Sequence, residues 1–156
     1  MQADREDTDP ITGLCSRRAL HRLLAERVAA AARDGSAGAV VLCELEALDA
    51  IIRRSGVEAG EAALQLTSEA IREAVRAVDI VGRIEAGRFA VLMGRVAADQ
   101  ALAIAARIST GVRSRRLTWQ DAALPIAVSV GIVTYRGGED AARLLARQTG
   151  DASGPG

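Results

Sequence analysis

The chain has 156 residues, room for one domain with a sizeable core and not for two. Hydrophobic residues make up 49% of it and charged residues 26%, an ordinary globular profile, and the 20 basic and 20 acidic residues cancel. That balance excludes the basic excess of a nucleic-acid polymer or anionic-membrane binder, while leaving room for a local arginine cluster that holds a small phosphorylated ligand.

Ser16 can cap a helix running to about Arg33, with Leu20, Leu23, Leu24 and Val28 in one stripe. The stretch from Asp34 to Gly38 breaks it. Ala39 to Glu46 then reads as a buried strand, with Val41, Cys43 and Leu45 on one face and Val40, Leu42, Glu44 and Glu46 on the other. A short helix follows to about Arg54, ended by Ser55-Gly56, and a longer one spans about Glu58 to Arg76 with Leu64, Ile71 and Val75 inward. Two apolar runs, Val78 to Arg83 and Phe89 to Met93, flank Glu85-Ala-Gly-Arg88. They predict a β-hairpin in which Gly87 can take the positive φ of a tight turn. Ala97 to about Val112 is a helix, Ala127 to Tyr135 alternates as a strand, and Glu139 to about Arg147 makes a last short helix. The order implies a central sheet with helices packed on it.

Residues 1–8 are expected to be a lead-in, residues 9–150 the domain, and residues 151–156 a small, polar, disordered tail. The acidic start carries no secretory signal and the apolar stretch around Ala37 to Leu45 is too short for a bilayer, so a cytoplasmic location without membrane attachment is expected. Cys15 and Cys43 show no metal-ligand spacing, and Cys43 reads as a buried hydrophobe. His21, the one histidine, reads as a surface or half-buried helix residue. Neither a metal nor a cofactor is expected.

Asp9-Pro-Ile-Thr-Gly-Leu-Cys-Ser-Arg-Arg-Ala-Leu20 resembles the opening signature of GGDEF domains, the domains of diguanylate cyclases. Gly56 with Gly60-Glu61, the Asp79 to Arg83 segment, and Val128-Ser-Val-Gly-Ile132 resemble three further family segments in order and spacing. The resemblance implies an α+β, nucleotidyl cyclase-like fold: a central five-stranded, mostly antiparallel sheet flanked by helices. Working members condense two GTP molecules into cyclic di-GMP across a symmetric dimer.

The resemblance also implies where the chemistry should sit. The hairpin tip, Gly-Gly-Asp-Glu-Phe in the family, is here Glu85-Ala-Gly-Arg-Phe89, which keeps only the packing phenylalanine. Glu85 sets an anionic side chain where the triphosphate approaches the backbone, Gly87 removes one carboxylate, and Arg88 puts a cation where another carboxylate would hold Mg²⁺. Glu44 matches the first-strand metal ligand, Ile52 replaces the asparagine that reads guanine, Glu61 approximates an aspartate, and Arg147 matches a late phosphate contact with Asp151 next. On this reading no residue is catalytic, and the chain is expected not to be an enzyme.

A second family site, inhibitory and specific for cyclic di-GMP, carries the signature Arg-x-x-Asp. Arg76-Ala-Val-Asp79 fits it, with five residues between Asp79 and Glu85, and Arg107 falls where a further arginine joins. One bidentate arginine–guanine contact gives ~1–3 kcal/mol of discrimination. The resemblance thus implies a signalling receptor that binds cyclic di-GMP through Arg76, Asp79 and Arg107, with an unidentified protein partner and a possible homodimer. The alternative is an interaction or dimerisation module that binds no nucleotide; a residual GTP sensor is disfavoured by Ile52 and Glu85. Arg113, Arg115 and Arg116 read as a phosphate clamp or a solvated helix end, and Trp119 as a contact or a packing residue.

Overall fold

The computed structural model describes residues 6–95 and 98–149; the expected tail and the first residues of the lead-in lie outside them. The first helix, α1 (Arg17–Asp34), starts where Ser16 accepts a hydrogen bond from the Ala19 amide and stops at Gly35, whose φ of 74° gives the left-handed cap. Strand β1 (Gly38–Leu45) follows, then α2 (Leu48–Ser55) and α3 (Val57–Ala74). The hairpin is β2 (Ile80–Glu85) and β3 (Arg88–Gly94). After α4 (Ala98–Arg113) come β4 (Arg116–Trp119), β5 (Ala122–Pro125), β6 (Val128–Tyr135) and α5 (Ala141–Ala146).

The main sheet runs β2-β3-β1-β6, with every neighbouring pair antiparallel. It has four strands, which corrects the expected five. The remaining two, β4 and β5, pair only with each other. Their turn is Gln120-Asp121, at φ 48° and 66°, the doubly left-handed geometry that folds a two-residue hairpin back on itself.

Side-chain alternation along β1 divides the interior in two. Ala39, Val41, Cys43 and Leu45 face a core shared with α2, α3 and α4. Val40 and Leu42 face the opposite core, filled by Leu20, Leu24 and Val28 of α1 and by Leu144 and Leu145 of α5. The sheet is therefore covered on both faces, and its one hairpin carries both candidate sites, one at each end of β2. Among the described residues no helix is long and apolar enough to cross a membrane.

Candidate functional site

At one end of β2 lies the hairpin tip. Glu85 is in register with Arg88, and Ala86, not the expected Gly87, takes the left-handed backbone at φ 41°. Gly87 is needed for a different reason: a Cβ there would stand 3.2 Å from Leu45 Cβ and 3.3 Å from the Leu45 carbonyl oxygen. Its own carbonyl accepts the Leu45 amide at 2.8 Å. The tip is pressed onto the end of β1.

Arg88 is a largely covered cation of this end, its side chain 13% exposed. Its Nη2 donates to the Leu145 carbonyl at 3.2 Å and to the Arg147 carbonyl, so it caps the end of α5. Its Nε lies 4.0 Å from Glu44 Oε2. Glu44 thus faces a guanidinium, and among the described residues no three His, Cys, Asp or Glu side chains converge on a point. This donor set does not fit a divalent cation. Glu85 pairs with Arg17 at 3.3 Å in solvent. Ile52 packs against the helical Gly60, where an added Cβ would lie 2.6 Å from Ile52 Cγ1; it serves the α2–α3 contact. Glu61 is half-buried on α3, and Arg147 is exposed, while Asp151 lies outside the described residues.

At the other end of β2 is the loop from Arg76 to Asp79. The Asp79 side chain is 1% exposed. It accepts the Arg76 backbone amide at 2.8 Å, Arg76 Nη2 at 2.8 Å, and Arg76 Nε at 3.2 Å. The loop is a short ring closed by a charge-assisted fork. The hydrogen bond to Asp79 also raises the Arg76 guanidinium above its ordinary pKa, so this arginine is always charged. Arg76 and Asp79 are brought together as the Arg-x-x-Asp spacing requires. Arg107 sits across the α3–α4 groove, donating to the carbonyl of Ala74, two residues before Arg76. Arg115, expected to be a solvated end or a clamp, is instead folded onto Glu73 at 2.5 Å and the Gly111 carbonyl at 2.9 Å. Trp119 packs partly buried against the core.

A turn from Asp9 to Cys15 ties the two ends together. Asp9 accepts both the amide and the hydroxyl of Thr12, at 2.9 and 2.7 Å, and pairs with Arg83 at 3.3 Å. Arg83 in turn donates Nε to the Ala86 carbonyl at 2.8 Å. On the far side, Arg72 donates to the Gly13 carbonyl at 2.9 Å. Sequence reasoning named neither link. The signal available was the spacing of Arg72, four residues before Arg76, in a helix that the sequence predicts to run to Arg76 and that ends at Ala74.

The profile of the family described as "Diguanylate cyclase, GGDEF domain" matches residues 6–151. The chain belongs to the GGDEF family. The diguanylate cyclase DgcP of Pseudomonas aeruginosa is 26% identical over 138 residues, which are 88% of this chain and 21% of DgcP. This chain therefore spans about a fifth of that relative. The diguanylate cyclase SiaD of P. aeruginosa, solved in complex with its activator SiaC, superposes with a TM-score of 0.87 at 25% identity, covering 97% of this chain and 58% of that one. The coiled coil and GGDEF domain of DgcB from Caulobacter crescentus, solved in complex with c-di-GMP, shares the fold with a TM-score of 0.86 at 21% identity, over 94% of this chain and 78% of that one.

These matches overturn the expectation that the chain is not an enzyme. The family is one of diguanylate cyclases, and DgcP carries that name. That expectation weighed a few side chains, those of the hairpin tip with Glu44, Ile52, Glu61 and Arg147, whereas the match runs over residues 6–151.

Proposed function

We propose that this domain binds cyclic di-GMP at the loop joining α3 to β2 and acts as a receptor for that messenger. The observation that carries the reading is the fork between Arg76 and the buried carboxylate of Asp79. Asp79 holds the Nε side of the guanidinium and leaves Arg76 Nη1, with the second hydrogen of Nη2, for the acceptor edge of a guanine, the geometry a bidentate reader needs. Arg107, which lines the neighbouring α3–α4 groove and bonds the Ala74 carbonyl, adds a second cation nearby, where solvent screens it. The complex of DgcB with c-di-GMP supports the capacity of this fold for the ligand. In this reading the domain meets the messenger in the cytoplasm, and the ligand promotes association of two copies.

A second reading, a module that binds protein and no nucleotide, is favoured by one observation: SiaD was solved with the protein SiaC as its activator. Isothermal titration of the purified chain with cyclic di-GMP separates the two. Saturable heat supports the receptor, and its absence at any practical ligand concentration hands the case to the protein-binding module.

A further inference from the structure

The groove beside the Arg76–Asp79 loop contains a second guanidinium. Arg72 lies in the last turn of α3, and Arg76 just past its extended cap Val75, in the loop; both side chains line the same groove. With Asp79, Gly13, Cys15 and Val81 they line an open groove of about 400 Å³, within the size range of small-molecule sites.

The two cations differ in their partners. Arg76 is neutralised by Asp79. Arg72 makes no ion pair among the described residues, and Glu73 beside it on the helix is taken up by Arg115. The groove therefore carries one positive charge in excess, and it belongs to Arg72. The single bond from Arg72 Nη2 to the Gly13 carbonyl holds the guanidinium head in place and leaves most of its five donors unused. A head already positioned loses less freedom when it takes a ligand oxygen.

We propose that Arg72 is a phosphate-contacting residue of this groove, taking the anionic backbone of the ligand while Arg76 faces its base. The proposal rests on the reading of Arg76 and Asp79 as the ligand site. A purely structural Arg72, stapling the Asp9–Cys15 turn to α3, would move thermal stability and leave the salt dependence of binding untouched.

The test is isothermal titration of the full chain with cyclic di-GMP at several salt concentrations, roughly 50 to 300 mM. Wild type, Arg72→Gln, Arg72→Lys and Arg76→Ala are compared, with a thermal melt of each. Arg72→Gln is expected to weaken binding about tenfold and to flatten its salt dependence, and Arg72→Lys to keep most of both because the charge remains. Wild-type binding that Arg76→Ala removes and Arg72→Gln leaves unchanged overturns the role of Arg72 and spares the site. Arg72→Lys failing as badly as Arg72→Gln, with equal losses in melting temperature, overturns it as well. No binding by the wild type overturns the site and this assignment together.

Discussion

The two ends of β2 carry the same kinds of residue, arginine beside carboxylate, and use them in opposite ways. At the tip, Arg88 is spent inward, on the carbonyls of Leu145 and Arg147 and on Glu44. At the Arg76 loop the carboxylate is the buried partner and the arginine the accessible one, 37% exposed against 1%. A guanidinium held by a buried acid is oriented and still accessible; one that caps a helix end is turned away from solvent. What decides the role of such a pair is which partner the fold buries.

The largest effect that sharpens the contrast is at the loop. Arg76→Ala should weaken cyclic di-GMP binding about 100-fold, the upper range of a lost bidentate base contact. Asp79→Asn should weaken it nearly as much, because the fork that orients Arg76 loses its charge. Equal affinity of either variant with wild type, by titration calorimetry, would break the comparison. At the tip the expected loss is in stability. Arg88→Glu removes the bonds to two carbonyls and sets a like charge beside Glu44, a cost of about 2–3 kcal/mol in denaturant unfolding. No change in the unfolding midpoint would show that Arg88 holds nothing together. Arg107→Ala, in the neighbouring α3–α4 groove, should weaken ligand binding only a few-fold. Smaller still is the gain from Ala86→Gly, about 0.5–1 kcal/mol from relief of the left-handed backbone at φ 41°.

The cysteines report one end each. Cys43 pairs across the sheet with Phe89 at the base of the tip, and burial pushes its thiol up to about 12. Cys15 lines the Arg76 groove, half-buried, its pKa raised by burial and by Asp7. Alkylation of the folded protein should therefore mark Cys15 slowly and Cys43 not at all, and cyclic di-GMP should slow Cys15 further. Native-state labelling of Cys43 at the rate of Cys15 would contradict the burial on which this rests.

How far the sequence could be read follows from the same physics. Alternation in Ala39 to Glu46 assigned both faces of β1 correctly, because a two-sided core forces every residue of that strand to choose. The cap at Ser16 and the stop at Gly35 were legible from local chemistry alone. The β4–β5 hairpin was not: its turn puts Gln120 and Asp121 in the left-handed region without a glycine to mark it. Arg76 and Asp79 were singled out by resemblance to the Arg-x-x-Asp signature, as two residues facing a ligand; their fork to each other was not read from the sequence. The burial of Asp79, the inward use of Arg88 and the hold of Arg72 on Gly13 depend on segments far apart in sequence, which no local pattern encodes. The family itself was legible from the Asp9 to Leu20 signature; the inference from the tip and Ile52 to the absence of an enzyme was the step that failed.

The most direct test of the central claim is a map of backbone amide shifts on titrating the ¹⁵N-labelled chain with cyclic di-GMP. Saturable shifts concentrated on residues 72–81 and the Gly13–Cys15 turn are expected, with residues 85–89 moving little. Shifts centred on the tip with the Arg76 loop unmoved would contradict that claim.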